Sequence, residues 1–186
     1  EDTLAAYRTV LGPLAESTTR ELLEWENIQP VYRDALTSDD ERVTREAVRH
    51  VGFLVAKGAL SWEDATPFVN RVFHLDAQSL TTEVAQQVAI ALNERHVDWD
   101  DVEPFFDELQ RTEDERVMGL VITSTSYAMR SEETEWADVE PVLENALNSG
   151  DPEVALHAVE TCGAIVQHKT VDWSEVGPFL EAARES

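Results

Sequence analysis

Five tryptophans stand at Trp25, Trp62, Trp99, Trp136 and Trp173, each 37 residues after the one before. Prolines keep the same step five residues later, at Pro30, Pro67, Pro104, Pro141 and Pro178. A period of this size, held without insertion or deletion, leaves few folds open. Each copy is one supersecondary unit that cannot bury its apolar face alone and must stack on its neighbours.

The period divides the chain into full copies at 25–61, 62–98, 99–135 and 136–172. A half copy, 1–24, precedes them and the start of a fifth, 173–186, follows, so 1–186 reads as a single domain. Residues 1–24 match the second half of a repeat. Ala6, Val10, Leu11, Leu14 and Ala15 align with Val43, Ala47, Val48, Val51 and Gly52. Gly12-Pro13 predicts a break or kink there, because proline lacks a donor and clashes one turn back.

Each copy reads as two helices. In the third, Val102, Phe105, Phe106 and Leu109 fall at i, i+3, i+4 and i+7, one apolar stripe of an α-helix. Ile28, Val31, Tyr32 and Ala35 hold the same columns in the first copy. Ser61 with Asp64, Asp98 with Asp101 and Asp172 with Glu175 resemble capping-box starts. Proline is best tolerated at a first helical position, so the main helix is expected to begin at the proline, after a short turn holding the tryptophan. Asp40, Asp114 and Asp151 share a column and suit helix N-caps, with Pro152 next at a first helical position. The second helix carries the broader apolar stripe, as in Val43, Ala47, Val48, Val51, Leu54 and Val55, and should be the more buried. One column holds only small residues, Gly52, Ala89, Ser126 and Gly163, and reads as the contact between successive second helices.

With a helix opening on Pro30-Val31-Tyr32, a loop carrying Asp40 and a second helix led by Val43-Thr44-Arg45, the chain resembles the HEAT-like (armadillo-type) helical repeat family. The resemblance covers nearly the whole chain. It implies an all-α fold, a right-handed α-solenoid of antiparallel helix pairs with second helices lining the concave side. Such proteins mostly act as scaffolds and adaptors. The family's basic residue after the valine is absent at Thr81, Met118 and Ala155, and the regular tryptophan belongs to this chain.

Charge narrows the partners. Asp and Glu number 38 against 14 Lys and Arg, a net −24, and only Lys57 and Lys169 are lysines. Such acidity with arginine over lysine resembles proteins of salt-loving archaea, whose cytosol screens the self-repulsion. A sequence-independent grip on nucleic acid or an anionic membrane needs a basic surface, so neither is expected. No stretch is long enough to span a bilayer and no signal peptide is evident, which points to the cytoplasm.

No catalytic constellation emerges. His50, His74, His96, His157 and His168 lack zinc-motif spacing and read as solvated or capping. Cys162 falls in a core column and reads as an inert thiol. Acidic residues such as Asp100-Asp101 recur within two positions of the tryptophan in every copy, which favours capping over acid–base chemistry. The tryptophan column reads as packing between repeats rather than a ligand ladder. Neither catalytic residues, cofactor nor metal are expected.

The charge is unevenly placed. The second-helix windows 41–58, 78–95, 115–132 and 152–169 carry eight acids and eight bases, so the rest of the chain holds the whole −24. Their outward columns hold Arg49, Gln86, Thr123 and Glu160, then Phe53, Ile90, Tyr127 and Ala164. Arg42, Arg45 and Lys57 suggest a basic patch in the first repeat. Exposed Phe53 and Tyr127 beside Arg45, Arg49 and Arg130 would suit a protein or peptide partner, since aromatics and arginine supply much interface energy. The expectation is a non-catalytic interaction scaffold or adaptor that binds a protein or peptide on the concave second-helix face, with a site comprising Arg42, Arg45, Arg49, Phe53, Gln86, Thr123, Tyr127 and Arg130. A HEAT-like enzyme such as a nucleic-acid repair glycosylase is the alternative, against which the charge argues. Self-assembly is a third reading. The chain is expected to be a monomer unless its two terminal half repeats join head to tail.

Overall fold

The computed structural model describes residues 3–75, 77–112, 114–131, 133–168 and 171–185, with side chains described from Leu4 to Glu181. Among the described residues it is all-helical, with no strand. It divides into two compact units, Glu1–Val97 and Asp98–Ser186, at a repeat edge.

The first unit holds α1 (Thr3–Thr19), α2 (Trp25–Leu36), α3 (Glu41–Ala56), α4 (Trp62–Val69), a 3-10 segment (Asn70–His74) and α5 (Gln78–Asn93). Here α1 packs on α3, α3 on α5, and α2 and α4 lie against α3. The second unit holds α6 (Trp99–Gln110), α7 (Glu115–Ala128), α8 (Trp136–Leu147), α9 (Pro152–Gln167) and α10 (Trp173–Glu185). There α7 packs on α9, and α8 lies against both.

Every first helix starts at its tryptophan, not at its proline, which corrects the expected boundary. The proline sits at the sixth helical position. The carbonyl it leaves without a helical partner belongs to Glu26, Glu63, Asp100, Ala137 or Ser174, all exposed residues, where a proline costs least. For the same reason α1 runs unbroken through Gly12-Pro13: the carbonyl freed by Pro13 is that of exposed Thr9.

The aspartate column caps as expected. Asp40 accepts from the Arg42 N–H at 3.1 Å, Asp114 from Arg116 at 2.8 Å and Asp151 from Glu153 at 2.8 Å. Each such cap contributes about 1 kcal/mol. Pro152 opens α9. Ser61 caps α4 through the Asp64 N–H at 3.2 Å. Asp98 makes no side-chain cap, whereas Asp138 accepts from the Glu135 N–H at 2.7 Å. The second repeat is the odd one. Its cap position is Ala77, which makes no side-chain bond, and its first helix shortens to eight residues before turning 3-10.

The second helices α1, α3 and α5 end alike. Leu22 N–H reaches the Ser17 carbonyl, Ala59 that of Leu54, and His96 that of Ala91, at 2.8–2.9 Å. Glu21, Gly58 and Arg95 accordingly stand at φ 57°, 64° and 61°, one repeat apart. This is the Schellman closure, which needs a left-handed residue just past the helix.

The tryptophans pack. Trp25 sits 5.4 Å from the Tyr32 ring and 5.7 Å, edge-on, from Phe68 of the next repeat. Trp136 repeats that contact on Phe179 at 5.4 Å, and Trp99 stacks on Phe106 at 5.6 Å. Each aromatic pair adds about 0.5–1.5 kcal/mol beyond its buried area. Trp25 and Trp99 are buried, Trp62 and Trp136 half-buried, and Trp173 exposed. In the small-residue column, a β-carbon on Gly52 would already touch Gln87 and Val84 of α5 at 3.6–3.8 Å.

Candidate functional site

On the first unit, α3 carries Arg45, Arg49 and Phe53 at four-residue steps, so the three line one ridge. All three are half-buried. The basic patch expected there is electrically paired. Arg42 bonds Asp40 at 2.8 Å and Arg45 bonds Glu41 at 2.7 Å. Arg49 spans Glu46 at 3.1 Å and Glu83 of α5 at 2.9 Å. Glu46, with its side chain 11% exposed, also receives Arg8 of α1 at 2.9 Å. The chain Arg8–Glu46–Arg49–Glu83 thus ties three successive second helices. Two guanidiniums thus meet one nearly enclosed carboxylate, and removing either would leave it less well paired.

His50 adjoins this chain. Burial pushes its imidazole below the ordinary histidine value, and Arg49 adds to that against the opposing pull of Glu46 and Glu83. Its Nδ1 is buried without a hydrogen-bond partner. It is therefore neither a solvated nor a capping histidine. His96 is exposed and lies over Gly58. Phe53 is half-buried, with the Lys57 ammonium 5.9 Å from its ring centre, a cation–π approach. Gln86 is exposed on α5.

On the second unit, Thr123, Tyr127 and Arg130 fall on one stripe of α7 and its C-cap turn. Tyr127 is half-buried rather than exposed, and the Arg130 guanidinium lies 5.2 Å from its ring centre. The Thr123 hydroxyl donates to the Gly119 carbonyl at 2.8 Å and meets His157 Nε2 of α9 at 2.9 Å. Arg49 to Glu83 and Thr123 to His157 are the same contact in different repeats, each 34 residues apart. The eight expected residues therefore divide between the units, Arg42, Arg45, Arg49, Phe53 and Gln86 on one and Thr123, Tyr127 and Arg130 on the other. Arg8, Glu46, Glu83 and His157 were missed. Their signal in the sequence is a separation near, but not equal to, the repeat length.

Chemically, both sets offer rings with cations over them and paired, immobilised polar groups. A cleft of about 790 Å³ on the second unit is lined by Asp107, Gln110, Arg111, Glu115, Asn145 and Asp151 among others. Glu115 there is held above the ordinary carboxyl range by a hydrogen bond to Glu153 and by neighbouring negative charge. Among the described residues no group of three His, Cys, Asp or Glu side chains could hold a metal. Cys162 is buried, which pushes its thiol up to about 11. None of the described helices is long and apolar enough to cross a membrane.

Compared with protein-family models, with curated proteins and with solved structures, the chain matches none.

Proposed function

We propose that the chain is a non-catalytic scaffold of 37-residue HEAT-like units that binds a protein or peptide on the outward face of its second helices. The observation that carries this reading is one repeat column, Phe53, Ile90 and Tyr127. In the four full repeats this column is apolar, with Phe53 and Tyr127 half-buried and Ile90 exposed, on a chain of net charge −24, and a cation lies over each of its two rings. Rings held in place by neighbours lose little entropy on binding. Recurrence of the aspartate caps, the tryptophan–phenylalanine contacts and the 34-residue rungs in both units supports one repeated unit. The charge supports a salt-rich cytosol as the medium and argues against nucleic acid as the partner.

The test is Phe53→Ser with Tyr127→Ser, compared with wild type and with an Arg33→Glu control at an exposed position of α2. Proteins captured from native extract at molar KCl are identified for each. A partner kept by wild type and control but lost by the double variant, at unchanged circular dichroism, is the expected result. A partner kept by all three removes this face from the proposal. Arg45→Glu with Arg49→Glu is the poorer probe, because a carboxylate at position 49 would face Glu46 and Glu83 and disturb the fold.

A further inference from the structure

One contact between second helices recurs in both units with different chemistry. In the first unit Glu41 receives the Arg45 guanidinium at 2.7 Å, one turn along α3, and Arg49 reaches across to Glu83 of α5 at 2.9 Å. Two repeats on, Glu41 and Arg45 become Glu115 and Gly119, while Arg49 and Glu83 become Thr123 and His157. The carboxylate of the first pair is kept and both guanidiniums are gone. A cavity of about 200 Å³ lies there, lined by Glu115, Gly119, Glu153, Val154 and His157. Packing does not ask for glycine at 119, because a β-carbon there meets nothing within 4 Å. Glycine inside a helix is destabilising relative to alanine, so Gly119 weakens α7 with no steric cause. The polar side chains around the cavity present acceptors. Glu115 and Glu153 lie within hydrogen-bonding reach of each other, which for two carboxylates asks for a proton or a cation between them, and Asp151 adds its charge. The Thr123 hydroxyl gives its one proton to the Gly119 carbonyl at 2.8 Å, so His157 Nε2, 2.9 Å away, is the donor of that pair. Nδ1 of the neutral ring is then an acceptor.

From this we infer that the cavity takes the guanidinium of an arginine side chain on a peptide partner, in the place that Arg45 fills for Glu41 in the first unit. A planar guanidinium presents donors in a fixed fork and suits acceptors set around it. Among the described residues no three His, Cys, Asp or Glu side chains could hold a metal ion, so these acceptors fit a larger cation than a bare one. The cleft of about 790 Å³ shares Glu115 and Val154 with the cavity and has room for the residues flanking the arginine. Buried Met118 and Val154 give it an apolar floor. The amides of Gln110 and Asn145, joined at 3.2 Å, can meet a peptide backbone, and Asp107 and Asp151 keep the cleft negative. The inference is independent of what the Phe53, Ile90 and Tyr127 column binds.

The experiment is an NMR titration of the 186-residue chain in molar KCl, followed at the Gly119 amide and the His157 ring. The probes are an alanine pentapeptide with a central arginine, the same peptide with citrulline, and N-acetylarginine amide. The arginine peptide should shift both signals with a Kd of about 1 mM. Citrulline keeps the shape and loses the charge, so its peptide should bind about tenfold more weakly or worse. N-acetylarginine amide, which leaves the larger cleft empty, should also bind more weakly than the arginine peptide. Glu115→Gln should weaken the arginine peptide about tenfold. Gly119→Arg should abolish binding, read at His157, because the chain's own guanidinium then fills the cavity. Gly119→Ala should bind as wild type does, and neither variant at 119 should melt earlier in urea. Citrulline bound as tightly as arginine, a Gly119→Arg variant that binds like wild type, or no shift at about 10 mM peptide overturns the inference. N-acetylarginine amide bound as tightly as the peptide overturns a peptide as the source of the guanidinium.

Discussion

The residue just past each second helix of the first unit offers a test that runs in both directions. Glu21, Gly58 and Arg95 share the left-handed conformation, but only one is glycine. A side chain there costs about 1–2 kcal/mol, and glycine returns about 0.5–1 kcal/mol of that in unfolded-chain entropy. Glu21→Gly and Arg95→Gly should each stabilise by about 0.5–1 kcal/mol. Gly58→Ala should do the reverse and more. Its β-carbon would stand 2.6 Å from Nδ1, 2.8 Å from Cε1 and 2.9 Å from Cγ of His96. Overpacking costs about 1–3 kcal/mol. His96 is exposed and its ring can swing aside, which sets that part near the low end. The sum is about 2 kcal/mol. In a His96→Ala background only the backbone part should remain, a coupling of about 1 kcal/mol. Urea denaturation in molar KCl reads these as midpoint shifts at unchanged slope. An Arg95→Gly variant that lowers the midpoint would refute the backbone argument. A Gly58→Ala cost indifferent to His96 would refute the steric one.

Further outcomes follow from the polar network and the core. Arg49→Met removes one of the two guanidiniums on nearly enclosed Glu46 and should cost about 1–3 kcal/mol; a loss below about 0.3 kcal/mol in urea melts would mean the bridge is dispensable. Burial lowers the folded-state pKa of His50, so the unfolded chain binds the proton more readily. Stability contributed by its neutral form is full above the unfolded value of about 6.5 and falls as pH drops toward the folded value. His50→Gln should flatten the stability profile just below pH 6.5, and an unchanged slope there would remove His50 as the cause. The raised thiol of buried Cys162 should react with a disulfide reagent only as fast as the protein opens, so labelling faster than local unfolding contradicts its burial. Lowering KCl to millimolar levels unscreens the −24 and should melt the helices, and a full helical signal without salt would dismiss the halophilic reading.

The helix pairs were legible because tryptophan, proline and the apolar columns repeat in step. The starts of the first helices were not, because the preference of Pro30 and its equivalents for a first helical position points to the wrong residue. What decides is the exposure of the carbonyl four residues back, a property of the folded surface. The second repeat gave a warning in Ala77, which stands where other copies have aspartate, but a missing cap does not announce a 3-10 turn. The left-handed column stayed hidden behind Glu21 and Arg95, since glycine is its usual mark. Within the candidate site, counting charges showed that the second helices are neutral overall. It could not show that Arg49 reaches Glu83, because partner choice is set by helix rotation and spans 34 residues rather than 37.

The Trp25–Phe68 and Trp136–Phe179 pairs join residues only 43 positions apart, little more than one repeat. The packed helix pairs named above are likewise near neighbours in the chain. Loop closure then costs little before each contact forms, so contact order is low and folding should be quick. Nucleation is free to begin at any well-capped pair and spread to its neighbours. The seam around short α4 and uncapped α5 is where that spread should pause, and where heat or force should first part the chain.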